Sequence, residues 1–312
     1  MHVLGIDAGG TKTVCLLADE EGTILSVARG PGANLQVAGE LEVEKVLHHV
    51  MTTALDGRQD VRPRAVCLGI AGVDREDDSR IVAAIMRRIS PGSRLLVVND
   101  ALVALEAGAP GVPGIVIICG TGSIAYGRNG NGIAARAGGW GHIIGDEGSG
   151  YWIGRQAVQA VMRDADGRGP ATTLSKQVLA HFDVATAASL VHIVYGPHSA
   201  NRSIAMLGPS VQLASESGDA VASAILDRAA DELALAATSV ANQLKLHNES
   251  FPFVLAGGVF RVVPALVERL SARLASIAPH ATIDLLAEEP ARGAVRLALA
   301  EARGGAPIPK YS

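Results

Sequence analysis

Two short loops rich in glycine and hydroxyl side chains are the strongest indication of fold in this sequence. Each follows an apolar run: the first is GIDAGGTKT at residues 5–13, and the second is CGTGS at residues 119–123. More apolar residues and then a turn-rich tetrad, DEEG or NGNG, follow each loop. The pattern predicts a strand, a tight turn and two further strands, which is a β-meander that occurs twice. Because glycine lets backbone N–H groups approach phosphate oxygens, we expect the two loops to hold one polyphosphate between two domains.

Neither loop fits the commoner nucleotide-binding motifs. In a Walker A loop a lysine directly follows the second glycine, whereas Thr11 separates Gly10 from Lys12 here. The second loop matches the spacing of a dinucleotide fingerprint, but the turn-rich stretch 126–130 follows it where that fingerprint requires a helix. Two plain tight turns without a ligand are the alternative interpretation.

Composition and charge exclude several classes of protein. The chain has 312 residues, of which 48% are hydrophobic and 19% charged, so it is long and apolar enough for two domains with sizeable cores. The net charge of −4 argues against nucleic acid or an anionic membrane as the main partner. No apolar run has the length of a membrane span, and no signal-peptide pattern precedes the first strand, so we expect a cytoplasmic protein. The three cysteines, at positions 15, 67 and 119, lie in apolar runs without metal-binding spacing, which predicts buried, reduced thiols.

Strands alternate with helices along the chain, which predicts a mixed α/β fold. Asp74 is a candidate cap for the second long helix of the N-terminal part. The Gly- and Pro-rich loop at 108–114 suggests a boundary, so we expect one domain at residues 1–111 and a second at 112–289. The last helix, in the segment from about 290 to 312, is expected to pack back on the first domain.

Two carboxylates stand where strands end and loops begin. Asp7 precedes the first phosphate loop and could hold Mg²⁺ through water beside the β- and γ-phosphates, or it could cap its own turn. Lys12 either contacts phosphate or faces solvent. Asp100 follows a strand and could accept the proton of an attacking hydroxyl, or cap the helix that follows. Gly257 and Gly258 suit the approach of a base or ribose, with a bare turn as the alternative.

A third Gly-rich segment, GGWGHIIGDEGSG at residues 138–150, carries carboxylates and hydroxyls to a predicted helix start near Ser149. Such a loop suits recognition of the hydroxyl groups of a polyol. Trp140 could form an apolar wall for a sugar ring or belong to the core. His142 is expected to be structural, because no second ligand lies at metal-binding spacing.

In this order, these segments resemble the actin-like ATPase superfamily of sugar kinases, actin and Hsp70-type chaperones. More narrowly, the strings LGIAGVDRED (68–77), VVNDA (97–101) and GGWGHIIGDEGSGYWIG (138–154) look like the N-acetylglucosamine kinase branch of the BadF/BadG/BcrA/BcrD ATPase family. The resemblance runs through nearly the whole chain. It implies two actin-like (ribonuclease H-like) domains with a cleft between them.

The resemblance also implies a role for each matching residue. Asp100 would be the catalytic base and Asp7 the carboxylate on the magnesium side. The phosphate contacts would come from Gly9, Gly10, Thr11, Lys12, Thr121 and Gly122, the adenosine contacts from Gly257 and Gly258, and the sugar contacts from Asn34, Ala71, Gly72, Gly139, Trp140 and Asp146. The position of Ala71 often carries a serine in the vertebrate kinases, so an unacetylated amino sugar such as glucosamine stays open as the substrate.

The resulting hypothesis is an ATP- and Mg²⁺-dependent sugar kinase that phosphorylates N-acetylglucosamine at its 6-hydroxyl and forms a homodimer. One alternative is an ATPase that activates a partner redox enzyme of the 2-hydroxyacyl-CoA dehydratase or benzoyl-CoA reductase type. Such activators bind an iron–sulfur cluster between subunits and need surface cysteines. The other alternative is a non-catalytic sugar or nucleotide sensor on the same fold.

Overall fold

A computed structural model describes residues 1–58, 60–73, 76–196 and 200–311 of the chain. Asp74, the predicted helix cap, lies outside the described residues. The chain forms two compact units. The first comprises Met1–Val116, Tyr126–Ala135 and Leu286–Ser312, and the second comprises Ile117–Ala125 and Arg136–Leu285.

The strands form two sheets, and both predicted meanders are confirmed. The strands are β1 (Val3–Ala8), β2 (Lys12–Ala18), β3 (Ile24–Pro31), β4 (Ala65–Ile70), β5 (Arg94–Asn99), β6 (Gly114–Cys119), β7 (Ser123–Arg128), β8 (Ile133–Gly138), β9 (Pro252–Ala256), β10 (Thr282–Leu285) and β11 (Lys310–Tyr311). The first sheet has the order β3-β2-β1-β4-β5, and the second has the order β10-β9-β6-β7-β8-β11. In the first sheet β1–β2 and β2–β3 are antiparallel, whereas β1–β4 and β4–β5 are parallel. The carboxyl ends of β1, β4 and β5 therefore lie at one edge of that sheet.

The helices agree with the predicted alternation of elements, which confirms the mixed α/β class. They are α1 (Leu35–Ala38), α2 (Glu40–Ala54), α3 (Glu76–Ile89), α4 (Asp100–Gly108), α5 (Gly150–Ala165), α6 (Leu174–His181), α7 (Leu190–Val194), α8 (Ala200–Ala205), α9 (Gly208–Glu216), α10 (Ala220–Leu244), α11 (Gly258–Val262), α12 (Pro264–Ile277) and α13 (Ala291–Arg303). Buried side chains of β1, β2, β4, α2 and α3 form one apolar core in the first unit. Among the described residues, no helix is both long and apolar enough to cross a membrane.

Two glycines allow α13 to pack against the first sheet and α4 at very short range. A Cβ atom on Gly5 of β1 would lie 2.4 Å from the backbone nitrogen of Val295. A Cβ atom on Gly293 would lie 2.0 Å from the carbonyl oxygen of Val103 in α4. Because real Cβ contacts are much longer, only glycine fits either position. The start of α13 is therefore fixed beside the middle of β1.

In the second unit, residues next to α10 determine where this helix begins and ends. The carboxylate of Asp219 accepts hydrogen bonds from the backbone N–H groups of Val221 and Ala222, and so caps the helix. The helix ends at Lys245, which adopts the left-handed conformation with φ 59°. The strand β9 ends at Ala256, directly before the glycine pair, and the residues after Gly257 form the short helix α11.

Candidate active site

The first Gly-rich loop is a tight turn between β1 and β2. The Gly9 N–H donates to the carbonyl of Lys12 (3.0 Å), and the Ala33 N–H donates to the carbonyl of Gly9 (3.1 Å). A Cβ on Gly32 would lie 2.2 Å from the carbonyl oxygen of Gly10, so the chain after β3 supports the loop closely from one side. A Cβ on Gly10 would meet nothing within 4 Å. The backbone of the loop is therefore held on one side and open on the other.

Asp7 places a buried carboxylate at the start of this loop. Asp7 is the last residue but one of β1. It pairs with Val14 of β2, and it is only 8% exposed. Burial raises its pKa from 3.8 to about 7, and the nearby negative charge of Asp100 adds to the rise. The charge of Lys12 acts in the opposite direction, and that of Glu289 raises the pKa further. A cation bound beside Asp7 and Asp100 would offset this rise in pKa, because a nearby positive charge favours the ionised carboxylate.

Asp100 follows β5 at the same edge of the sheet and is the first residue of α4. The structure decides which residue caps that helix: the side chain of Asn99 accepts the backbone N–H of Ala101 at 2.7 Å. The alternative in which Asp100 is the cap is therefore wrong. Because β1 and β5 flank β4 in parallel, Asp7 and Asp100 are brought to one edge, where α/β sheets bind ligands.

The residues expected to contact sugar in the first unit lie beside these carboxylates. The N–H of Ala71, directly after β4, donates to the carbonyl of Ala8 at 3.0 Å. Gly72 has φ +84°, and a Cβ there would lie 3.3 Å from Oδ1 of Asn34. The same Oδ1 accepts the N–H of Gln36 at 2.9 Å and caps α1, a helix that the sequence did not predict. Asn34 and Gly72 are thus brought together.

The second Gly-rich loop packs against Asp146 in the second unit. The Gly120 N–H donates to the carbonyl of Gly122 at 2.9 Å. A Cβ on Gly122 would lie 2.6 Å from Oδ2 of Asp146, so any larger residue there would have to displace the carboxylate. Burial raises the pKa of Asp146, and hydrogen bonds from the backbone of Gly141 and Ser123 act against that rise.

The segment between β8 and α5 is anchored, yet it presents Trp140 to solvent. The Gly139 N–H donates to the carbonyl of Ser123 at 3.0 Å. The indole of Trp140 is 59% exposed and lies under the guanidinium of Arg136, 4.8 Å from the ring centroid. The alternative that Trp140 belongs to the core is therefore wrong. Nε2 of His142 lies 3.0 Å from Nδ2 of Asn201, in agreement with a structural histidine.

Gly257 and Gly258 lie close to the second loop within the same unit. Gly257 has φ +113°, and a Cβ there would lie 2.1 Å from the carbonyl oxygen of Cys119. Gly258 begins α11, and a Cβ there would meet nothing within 4 Å. The N–H of Tyr151, in the first turn of α5, donates to the carbonyl of Thr121 at 3.3 Å. The second loop, the start of α5 and the glycine pair therefore form one group.

Sequence reasoning missed Glu289, which joins the first loop from the far end of the chain. Its carboxylate accepts hydrogen bonds from Nζ of Lys12 at 2.9 Å and from the guanidinium of Arg29 at 3.0 Å. Partial burial favours the neutral acid, but these two hydrogen bonds prevail and hold the pKa of Glu289 below its usual range. Glu289 and Lys12 are 277 positions apart in the sequence. The only sequence signal for this contact is that an acidic residue precedes the last helix.

The carboxylates at this edge of the first sheet fit a magnesium ion for which the protein supplies only some of the ligands. Within the described ranges, no group of three or more His, Cys, Asp and Glu side chains could hold a metal ion by itself. Mg²⁺ in nucleotide sites takes one or two carboxylates and completes its shell with water and phosphate oxygens. Asp7, with Asp100 beside it, offers this kind of partial site.

Known proteins are similar to this chain over nearly its full length. A sequence model of the BadF/BadG/BcrA/BcrD ATPase family matches residues 4–298. The N-acetylmuramic acid/N-acetylglucosamine kinase of Clostridium acetobutylicum is 36% identical over 96% of this chain and 99% of its own length. The N-acetyl-D-glucosamine kinase of Dictyostelium discoideum is 34% identical, over 95% of this chain and 97% of its own. A crystal structure from Chromobacterium violaceum, provisionally named an N-acetylglucosamine kinase, superposes with a TM-score of 0.76 at 26% identity, covering 95% of this chain and 98% of that one.

Proposed function

The chain belongs to the BadF/BadG/BcrA/BcrD ATPase family and is an amino-sugar kinase, and we propose that it transfers the γ-phosphoryl group of Mg·ATP to the 6-hydroxyl of N-acetylglucosamine. The family is the one that the sequence motifs predicted. The observation that carries the proposed chemistry is the pair of carboxylates, Asp7 and Asp100, at the carboxyl edge of the first sheet.

Asp100 is the proposed catalytic base. Its carboxylate accepts the proton of the sugar 6-hydroxyl while that oxygen forms a bond to the γ-phosphorus. The bond from the γ-phosphorus to the bridging oxygen breaks at the same time, and ADP leaves with that oxygen. The capping of α4 by Asn99 supports this role, because the helix does not require the carboxylate of Asp100 as its cap.

Asp7 is the proposed carboxylate of the magnesium site. Bound Mg²⁺ supplies positive charge that neutralises the β- and γ-phosphates. Asp7 would hold the ion through water, and its position at the carboxyl end of β1, within electrostatic range of Asp100, supports the assignment, since an adjacent cation favours the ionised form of both carboxylates.

ATP contacts are proposed for the glycine-rich segments of both units. Open space beside Gly10 and Gly258 lets a ligand approach the backbone at those positions. The phosphates would contact Gly9, Gly10, Thr11, Lys12, Thr121 and Gly122, and the adenosine would contact Gly257 and Gly258.

Sugar contacts are proposed for six residues: Asn34, Ala71, Gly72, Gly139, Trp140 and Asp146. The exposed indole of Trp140 offers an apolar face to a sugar ring, and the carboxylate of Asp146 can accept hydrogen bonds from hydroxyl groups. N-acetylmuramic acid is a second candidate acceptor, because the Clostridium acetobutylicum relative is named for both sugars. It keeps the 6-hydroxyl and differs only by a lactyl ether at C3.

Release of ADP from Mg·ATP tests the proposal. The acceptors to compare are N-acetylglucosamine, N-acetylmuramic acid, glucosamine, N-acetylmannosamine, glucose and no sugar, with 6-deoxy-N-acetylglucosamine as the control for the site of transfer. We expect turnover with the first two sugars and none with the 6-deoxy analogue. Turnover that does not depend on sugar, or transfer to the 6-deoxy analogue, would contradict the proposed reaction.

A cytoplasmic homodimer is proposed as the working form. All three cysteines are free and buried, and burial raises the pKa of Cys15 to about 12, which suits unreactive thiols in a reducing compartment. The same burial argues against the activator alternative, which needs cysteines at the surface. Light scattering of the purified protein measures the mass, and a monomer would contradict the dimer.

A further inference from the structure

The carboxylate of Glu289 makes two ion pairs at the edge of the first loop. One oxygen lies 2.9 Å from Nζ of Lys12, and the other lies 3.0 Å from the guanidinium of Arg29. A carboxylate with a cation on each oxygen has the contacts that a phosphate group would make with the same two side chains. Its negative charge also acts on Asp7, so the pairs lie within electrostatic range of the proposed magnesium site.

The fold fixes all three members of this cluster. Lys12 pairs with Pro31, and Arg29 lies two residues before Pro31 on the neighbouring strand. Side chains two residues apart on a strand point to the same face, so the two cations lie on one face of the sheet. Glu289 comes two residues before α13, whose start is fixed by the close packing of Gly5.

We propose that Glu289 is an internal competitor of the nucleotide, so that a phosphate group of ATP displaces its carboxylate from Lys12 and Arg29. This inference rests on the proposed function and adds Arg29 as a second phosphate-binding cation. The two pairs are replaceable because they are partly exposed: the side chains of Lys12 and Arg29 are 51% and 57% exposed, and that of Glu289 is 30% exposed. A polyphosphate carries more charge than one carboxylate and forms stronger contacts with the same cations.

Calorimetric titration with Mg·ATP tests the inference in the full-length protein. Glu289→Gln should tighten binding by about three- to tenfold, because each partly exposed pair contributes little and the variant loses two of them. The gain should shrink at high ionic strength. Glu288→Gln is the matched control: it removes the same charge one residue away, where the carboxylate pairs with Arg296 at 2.9 Å, and should leave the affinity unchanged.

Two further measurements separate competition from a general structural effect. Adenosine has no phosphate, so Glu289→Gln should not change its affinity. In a Lys12→Met background, Glu289→Gln should increase the affinity for Mg·ATP by less than it does in the wild type. The reason is that one of the two cations for which Glu289 and the phosphate compete is gone. The KM for ATP should fall in Glu289→Gln while the KM for the sugar stays the same.

Unchanged or weaker Mg·ATP binding by Glu289→Gln would overturn the inference and leave the kinase proposal standing. Equal tightening for adenosine and ATP, or an equal effect in the control Glu288→Gln, would overturn it as well. If the wild type does not bind Mg·ATP, the proposed function and this inference both fall.

Discussion

Replacing Asp7 by asparagine should stabilise the ligand-free protein. The pKa of this buried carboxyl is raised from 3.8 to about 7 in the folded chain, chiefly by burial and next by the charge of Asp100. The folded state therefore holds the proton more tightly than the unfolded state does. Stability consequently falls as pH rises from 3.8 to about 7 and levels off above that window. Asparagine has no proton to lose there, so the variant lacks this fall.

The size of the effect follows from the two pKa values. Relative to low pH, the raised pKa lowers the free energy of unfolding by about 4 kcal/mol at about pH 8 and by about 2 kcal/mol at about pH 5. We therefore expect the free energy of unfolding of Asp7→Asn to exceed that of the wild type, with a gap that widens from pH 5 to pH 8 by about 2 kcal/mol.

Urea unfolding in the presence of a chelator measures this gap across the pH range. Asp77→Asn is the control, because that carboxylate is 89% exposed and its removal should shift stability by no more than about 0.5 kcal/mol at any pH. A variant at Asp7 that is no more stable than the wild type at pH 8 would refute the electrostatic reasoning. So would a gap of equal size at both ends of the range.

The stability that Mg·ATP adds to Asp7→Asn tests the proposed function of this carboxylate. A ligand that binds only the folded state raises stability in proportion to the logarithm of its concentration over Kd. The wild type should gain stability from Mg·ATP, and Asp7→Asn should gain much less. An equal gain in both proteins would remove Asp7 from the proposed magnesium site.

Three further substitutions test separate parts of the site and fold. Asp100→Asn should lower kcat by about 10²- to 10⁴-fold with little change in the Kd for ATP, and near-normal turnover would contradict its role as base. Gly122→Ala should destabilise the ligand-free protein by about 1–3 kcal/mol, because its Cβ would meet Asp146, whereas Gly120→Ala, with open space, should not. Asp219→Ala should lower the free energy of unfolding by about 1 kcal/mol through loss of the α10 cap, an effect that fades as pH falls towards about 2, where the wild-type carboxylate protonates.

Most of the fold could be predicted because its signals are local. Apolar runs that end in Gly-rich turns predicted both meanders, and the alternation of strands with helices predicted the mixed α/β class. The short helix α1 was not predicted, because four residues are too few for a helical period to show. Its cap, Asn34, was instead assigned only to the sugar pocket.

The candidate site was harder to predict in two places. In one, two residues of similar type are adjacent in the sequence; in the other, residues in contact are far apart in the sequence. Asn99 and Asp100 are both good capping residues, and only the backbone conformation, with Asn99 extended, decides between them. The ion pairs of Glu289 join segments from opposite ends of the chain, and no local pattern encodes such a contact. Its position depends instead on the missing side chain of Gly5, a residue that sequence reasoning treated only as part of a phosphate loop.

The charges around the first loop explain why the nucleotide should bind as its magnesium complex. Above about pH 7, where Asp7 is ionised, the three carboxylates of Asp7, Asp100 and Glu289 face the two positive charges of Lys12 and Arg29, so the cluster has a net charge of −1. That charge repels free ATP, whereas one Mg²⁺ changes the net charge to +1 and attracts the phosphates. Displacing Glu289 from the two cations then gives the phosphates direct contacts. Calorimetry with a chelator should therefore give much weaker binding of ATP than with Mg²⁺, and equal affinity would show that these carboxylates do not act on the nucleotide.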